Sequence, residues 1–413
     1  MMRRMRTFLL ALACLVLVLV PVSTAGARHG VQDAALARGI SKALASHGLG
    51  GKGTGVAIAD LATGEIIYRR NGWRQLVPAS TEKLYTTVGA LSTLRPDFRF
   101  ATTVVGAGTR AGKTWKGDLF LVGSGDPTFS SDDVAALAAQ VRARGIRKIS
   151  GRIRGDATIY DMARWGPWPA RYIGVESPPL SGLALDRDVN ANGHEVANPS
   201  HSAARALRKA LDRAGVQVGV RFVAGGRAPK DALVLGRTHS APLWRIVRFM
   251  DRHSDNFTAE MVAKAIGAYA GGSGTTARGM RITGDVAAPM LGDDAALVHL
   301  ADGSGLSYAN RTTASALARL LTAADADPAI AKPLAGALSV VGVNGTLRRR
   351  LPALRGRVLA KSGTLDGVSA LAGYVTGVTG RRFAFAVLIN ASGLSDWTAH
   401  GAQDAIVTLL AKR

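Results

Sequence analysis

Val77-Pro78-Ala79-Ser80-Thr81-Glu82-Lys83-Leu84-Tyr85-Thr86-Thr87-Val88-Gly89-Ala90-Leu91 reads as a helix that opens on a hydroxyl and carries an amine one turn later. Good helix formers and apolar residues at helical intervals follow Pro78. Ser80 therefore falls at the helix start, and Lys83 projects from the same face. A serine hydroxyl at neutral pH is a weak nucleophile and needs a base beside it. Lys83 serves as that base only when neutral, and burial or a second nearby cation would push its pKa down. Backbone N–H groups at the helix start favour negative charge developing there. Taken singly, the same spacing also fits an ordinary helix N-cap.

Two more short motifs follow in order. Ser254-Asp255-Asn256 lies between helical stretches at Leu243 to Arg252 and Phe257 to Ala270, in a connection able to aim side chains into a cleft. There Ser254 can pass a proton between Lys83 and a leaving amine, and Asn256 can hydrogen-bond an amide carbonyl. Alone, these residues would pass for a helix cap. Lys361-Ser362-Gly363-Thr364 ends the strand-like run from Gly356, ahead of β-rich runs at Val368 to Val378 and Arg382 to Asn390. It reads as an edge strand lining a cleft, where an extended peptide can pair as an added strand. Lys361 is the second cation and binds a terminal carboxylate, while Ser362 adds a hydroxyl and Gly363 leaves room for close approach. The backbone N–H groups of Ser80 and Thr364 are the candidates for an oxyanion hole, next to whatever Thr364 itself contributes to substrate binding. Three such motifs in this order resemble those of acylating serine hydrolases, and that likeness, rather than the spacing alone, favours such an enzyme over three unrelated caps and loops.

Around them the chain reads as a mixed α/β (α+β) fold. Asp33 to Gly48 forms an amphipathic helix, and Thr54 to Asp60 with Glu65 to Asn71 form a hairpin around Ala62-Thr63-Gly64. The last three strand-like runs and a final helix from Trp397 to Lys412 complete an antiparallel sheet with helices on both sides. One catalytic domain is thus assigned to residues 28–95 and 241–413, with 1–27 as a leader. Residues 96–240 carry short β runs such as Asp118 to Val122 and Ile149 to Ile153, and read as a smaller, β-rich inserted domain.

The leader reading rests on basic residues at Arg3, Arg4 and Arg6, an apolar run from Phe8 to Val22 and the small residues Ala25-Gly26-Ala27. It implies export and a periplasmic or other extracytoplasmic location. Cys14, the single cysteine, lies inside the apolar run and would leave with it, so no disulfide framework is expected. Losing the three leader arginines takes the net charge from +23 to +20. So basic an exported chain suits anionic partners, whether a wall polymer or peripheral contact with a membrane surface. With 6% aromatic residues and no zinc-ligand or RNA-recognition pattern, nucleic acid is not expected as a partner. Gly48-Leu49-Gly50-Gly51-Lys52-Gly53 matches a dinucleotide fingerprint but follows a helix and enters a strand, the wrong way round. The eight histidines lack paired metal-ligand spacing, so neither a metal nor a cofactor is expected, and His253 beside the second motif reads as surface or packing.

Further runs give the chain a family likeness. Gly117 to Thr128, Gly151 to Asp156, Ala259-Glu260, Asp302 to Ser307 with Asn310, and Asn344 to Leu347, together with the three motifs, resemble the class C low-molecular-mass penicillin-binding proteins. Within that class the likeness is to the penicillin-binding protein 4 type of D-alanyl-D-alanine carboxypeptidase and endopeptidase. It implies a penicillin-binding-protein or β-lactamase-like transpeptidase domain with an insert. It implies Ser80 as the acylated nucleophile, Lys83 as its base, Ser254 and Asn256 as the second catalytic element, and Lys361 as the carboxylate-binding cation. The implied partners are peptidoglycan as substrate and β-lactams as covalent inhibitors. The chain departs from the family pattern at Ser362, where threonine is usual, and at Tyr308, where many relatives carry arginine. A nested third domain is missing or reduced to a loop between Asp186 and Ser202. Two other readings share the motifs: a serine β-lactamase, and a non-catalytic basic peptidoglycan-binding protein. No Glu-x-x-Leu-Asn element lies between Asn256 and Lys361, which speaks against a class A β-lactamase. Five intact polar residues speak against a dead scaffold.

Overall fold

The computed structural model describes residues 29–190 and 192–413, so the leader and Cys14 lie outside the described residues. The chain opens with α1 (His29–Ser46), β1 (Thr54–Asp60), β2 (Ile66–Arg70) and α2 (Lys83–Leu94). A second stretch holds β3 (Ala101–Ala111), β4 (Thr114–Val122), α3 (Ser131–Ala143), β5 (Lys148–Ile149) and β6 (Ile153–Asp156). It continues through α4 (Pro199–Arg213), β7 (Gln217–Val218), β8 (Ala224–Gly225) and β9 (Leu233–His239). The remainder brings α5 (Leu243–His253), α6 (Asn256–Gly271), α7 (Thr276–Leu291), α8 (Ala314–Ala326) and α9 (Ala331–Ala337). Last come β10 (Ser339–Val340), β11 (Val358–Leu365), β12 (Val368–Thr376), β13 (Arg382–Asn390) and α10 (Asp396–Ala411). No helix among the described residues is long and apolar enough to cross a membrane.

Strands from both chain ends form one antiparallel sheet in the order β10-β11-β12-β13-β1-β2. Its central strands are buried almost throughout, which is why they read as continuous apolar runs rather than alternating ones. The two faces nevertheless differ. Ala57, Ala59, Ala370, Ala372, Ala384 and Ala386 turn to the core shared with α2, α6 and α8. Val56, Ile58, Leu371, Phe383, Phe385 and Val387 turn to the core under α1 and α10. Small residues on one face let helices sit close to the sheet there, and bulky ones fill the wider gap opposite.

The second sheet, in the order β7-β5-β4-β3-β9 with β6 paired to β4 and β8 to β6, comes entirely from residues 101–239. It buries its own core against α3 and α4, so two helices accompany the short strands. The run Ile149 to Ile153 is not one strand as expected but two. At Gly117 the backbone of β4 takes φ +137°, and a Cβ on Gly151 would stand 2.2 Å from the Gly117 carbonyl oxygen. There the Asp118 carboxylate accepts from the backbone N–H of Arg152 (2.7 Å), so the pairing breaks and restarts as β6. Beyond Asp188 a short connection to Asn198 leads into α4.

Segments flanking the strands of the second sheet lean on α6, which is buried from Phe257 to Gly267. Tyr160 donates from its hydroxyl to the Met261 carbonyl (2.8 Å), and Tyr269 to the Ser124 carbonyl (2.7 Å). Lys264 pairs with Asp161 and donates to the Ala163 carbonyl (2.9 Å). Phe98 and Phe100 pack edge-on against each other and against the Tyr269 ring. On its other side α6 meets α7 backbone to backbone: a Cβ on Gly279 would lie 1.8 Å from the Ala263 carbonyl oxygen. Gly279→Ala is therefore expected to push the helices apart and cost roughly 1–3 kcal/mol, read as a lower midpoint in denaturant unfolding. An unchanged midpoint would show that the crossing tolerates a methyl group.

Candidate active site

Ser80 is presented by a strained turn. Ala79 takes φ +46°, a costly value for a residue with a Cβ, and a 3₁₀ turn from Ala79 to Glu82 feeds straight into α2. Two glycines make room for it. A Cβ on Gly305 would stand 2.0 Å from the Ala79 carbonyl oxygen, and one on Gly363 would stand 2.8 Å from Ser80 N. The close approach that Gly363 permits is thus made by the chain's own nucleophile turn. It sets the Ser80 N–H against β11 one residue before Thr364, the two groups expected to form an oxyanion hole.

One turn on, the fully buried Lys83 places its Nζ 3.1 Å from Ser80 Oγ, 2.7 Å from Asn256 Oδ1 and 2.7 Å from the Ser304 carbonyl oxygen. As an ammonium, Lys83 donates to all three. As a neutral amine it has two N–H groups, which the two carbonyl-type acceptors take, and its lone pair is left facing the Ser80 hydroxyl. The Ser304 backbone is held in turn by Glu260, whose carboxylate accepts from Ser304 N (2.8 Å). Asp302 accepts from Gly305 N (2.8 Å), Ser307 N (2.7 Å) and Asn310 Nδ2 (2.7 Å), which fixes the loop.

The second hydroxyl–amine pair faces the first. Lys361 Nζ donates to Ser254 Oγ (2.9 Å) and to the Ser362 carbonyl (2.7 Å). Ser254 sits at the end of α5 in the left-handed region (φ 54°, ψ 38°), where Asp255 N reaches back to the Met250 carbonyl (2.8 Å). Asp255 then caps α6 by accepting from Thr258 N (2.8 Å). Ser362 exchanges a hydrogen bond with Thr346 (2.8 Å). β10 covers only Leu359 and Ala360 of β11, so the strand is not outermost, but its stretch from Lys361 to Leu365 has a single neighbour, β12.

Burial is the first cause acting on both lysines. It pushes Lys83 down to about 8, against the opposing pull of Asp302, Asp251 and Glu260. It pushes Lys361 to about 7, helped by the Lys83 charge and opposed by Asp251. The Lys83 charge thus weighs on Lys361, whereas the reverse effect expected from the sequence is not among the causes acting on Lys83. Burial also raises the carboxyls around them, Asp251 to about 7, Glu260 to about 8, and Asp302 and Glu82 upward as well.

These groups open onto a cleft of about 970 Å³ lined by Ser80, Ser254, Asn256, Ser362, Gly363 and Thr364. All eight sequence-derived site residues therefore meet in one place, Lys83 and Lys361 from beneath. Several neighbours were not expected. Glu176 accepts from Asn256 Nδ2 through its carbonyl oxygen (3.0 Å), and Tyr172 meets the Tyr308 hydroxyl at 3.2 Å. Arg171 reaches Asp366 at 3.1 Å, closing this wall. Residues 170–176 have little periodicity, so no sequence signal marked them. Tyr308, where arginine is usual, spends its hydroxyl on the Asp366 carbonyl (3.2 Å). Thr346 was legible only as part of a family-like run. His253 is exposed, its ring 4.8 Å from that of Phe249. Among the described residues no three metal-ligating side chains gather.

The fold and this cleft define an acylating serine enzyme with paired lysines. The chain matches the model of the D-Ala-D-Ala carboxypeptidase 3 (S13) family over residues 36–192 and 181–413. It is 32% identical to the D-alanyl-D-alanine carboxypeptidase of Actinomadura sp. (strain R39) over 490 aligned residues, covering 97% of this chain and 90% of that one. It is 33% identical to carboxypeptidase DacB of Mycolicibacterium smegmatis, covering 90% and 83%. In fold it resembles penicillin binding protein 4 (dacB) from Haemophilus influenzae, with a TM-score of 0.77 at 20% identity, covering 92% of this chain and 99% of that one. The chain belongs to the D-Ala-D-Ala carboxypeptidase 3 (S13) family, and the expectations of a penicillin-binding-protein fold and a serine DD-peptidase are borne out.

Two outcomes follow from the geometry. Acylation that uses Lys83 as its base needs the neutral amine, so on that assignment it should speed up as pH rises towards about 8, the value for Lys83, and Lys83→Arg should lose roughly 10²- to 10⁴-fold at every pH. A flat profile between pH 6 and 9 in stopped-flow acylation would remove Lys83 from that role. Ser254→Gly relieves a left-handed serine but deletes its hydroxyl, so thermal stability should hold or rise while turnover falls on the order of 10²-fold or more.

Proposed function

We propose that Ser80 forms the acyl-enzyme of this DD-peptidase, acting on peptidoglycan stem peptides ending in D-Ala-D-Ala or on their cross-links. Lys83 takes the proton as Ser80 Oγ attacks the carbonyl carbon, and the N–H groups of Ser80 and Thr364 hold the oxyanion. When the C–N bond breaks, the proton that Lys83 took from Ser80 passes through Ser254 to the leaving amine, which leaves Lys83 neutral again for the attack of water. Asn256 aligns the acyl chain. Lys361, with Ser362 and Thr364, receives the substrate's carboxylate, and the open stretch of β11 pairs with its backbone. Water then attacks the ester and frees Ser80. Carboxypeptidase, endopeptidase and transpeptidase turnover share this ester and differ only in leaving group and acceptor.

The observation that carries this reading is the Lys83 amine at 3.1 Å from Ser80 Oγ with its other two contacts taken by carbonyl oxygens. Depressed amine pKa values support it. One relative in fold has been solved in complex with a β-lactam, which supports the same ester chemistry with that inhibitor class. We also propose that residues 96–240 are an inserted domain between catalytic segments 28–95 and 241–413. On this reading residues 1–27 direct the chain outside the cytoplasmic membrane, and its positive charge favours anionic wall polymer or membrane surface.

Mass spectrometry after incubation with benzylpenicillin tests the central step. A stable adduct of one drug mass on Ser80, lost in Ser80→Ala, is expected. An adduct on another residue, or its persistence in Ser80→Ala, would overturn the reading. Rapid release of hydrolysed drug would make the chain a β-lactamase instead.

A further inference from the structure

We propose that Arg187 is a positioning residue for acylation: it clamps Asp255 and so holds Ser254 and Asn256 against Lys361 and Lys83. The proposal rests on the Ser80 acyl-enzyme described above.

Arg187 lies in the connection from β6 to α4, far in sequence from all three motifs. Its Nη1 and Nη2 donate to the two carboxylate oxygens of Asp255 at 3.2 and 2.8 Å, a forked pair. The guanidinium also sits over the Phe257 ring, 4.7 Å from its centroid. Burial would raise the Asp255 carboxyl, but Arg187, foremost among its hydrogen-bonding partners, holds it below the usual range.

A helix cap does not require such a partner. Ser130, Asn198, Thr275, Thr313 and Ser395 cap their helices here through a backbone N–H. Asp255 differs in what flanks it. The residue before it gives its hydroxyl to Lys361, and the residue after it gives its carboxamide oxygen to Lys83. A rotation of the backbone at Asp255 moves both contacts together, and displacements near 1 Å at reacting groups cost about 10²-fold in rate.

The arginine is delivered by an unusual device. Asp186, Arg187 and Asp188 take φ of 48°, 62° and 55°, three successive left-handed residues, none of them glycine. Such a turn persists only where its surroundings dictate it. Asp186 accepts from the backbone N–H of Ser131 (3.0 Å) and from its hydroxyl, and Asp186 N donates to the Phe129 carbonyl (3.0 Å). On the far side Val196 N donates to the Asp188 carbonyl (2.8 Å). Strain pinned at both ends aims one side chain at the middle residue of the second motif.

The test compares the full chain with Arg187→Ala, Arg187→Lys, Asp255→Asn and the Arg187→Ala/Asp255→Asn double variant. Acylation by a fluorescent penicillin is resolved into the binding constant and the acylation rate constant, each scaled to folded protein by circular dichroism. Arg187→Ala should lose about 10- to 100-fold in the rate constant, with the binding constant within roughly 3-fold. Asp255→Asn should add less than about 3-fold on that background, because the two act as one unit. Arg187→Lys, keeping charge without the fork, should recover part of the loss. An Arg187→Ala rate constant within about 3-fold of the parent, multiplying losses in the double variant, or a loss that merely follows the unfolded fraction would overturn the proposal. Should Arg187→Ala fail to fold, Arg187→Lys and Asp255→Asn carry the same comparison. A parent chain that is not acylated at Ser80 would sink the underlying reading, whereas an acylated parent matched by Arg187→Ala sinks only this one.

Discussion

Two amines buried side by side are the constraint that the rest of the structure serves. Desolvation disfavours charge on either, and the Lys83 charge disfavours a second one on Lys361. A fold can hold such a pair only by surrounding it with acceptors and with carboxyl groups that take up or release protons in step. Asn256, Ser304, Ser254 and the Ser362 carbonyl are the acceptors here, and Asp251, Glu260 and Asp302 are the carboxyls. The result is that Lys83, Lys361, Asp251 and Glu260 are poised near neutrality.

Part of the chain's local strain is gathered around that arrangement. Ala79, Ser254 and the Asp186 to Asp188 turn hold left-handed backbone without glycine, as do Asn71, Arg95 and Leu351 elsewhere in the fold. Each of the first three lies within a residue or two of a group that touches the hydroxyl–amine pairs, or of the residue that anchors them. Glycine is used instead where another backbone must come close, at Gly305 and Gly363.

Much of this was legible in the sequence, and for identifiable reasons. The β1–β2 hairpin, β12, β13 and the final helix carry long apolar or alternating patterns that tertiary packing reinforces. The three motifs sit at helix starts, a helix junction and a strand end, positions that capping residues mark locally. What was not legible depends on approach through space. Glu176 and Tyr172 come from an irregular segment, and Asp251 looks like any polar residue late in an amphipathic helix. The break between β5 and β6 depends on the backbone of a different strand, at Gly117. Arg187 is one of many arginines until its left-handed turn is seen.

The half-covered strand β11 carries a last consequence. An unpaired sheet margin invites other sheets to stick to it, and proteins usually blunt or hide such margins. Here the bare stretch from Lys361 to Leu365 lies at the foot of a cleft whose opposite wall is drawn in by Arg171 on Asp366 and Tyr172 against Tyr308. Side chains that crowd the mouth of such a recess also stand in the way of a second sheet, one physical means by which copies of a protein are kept from pairing edge to edge.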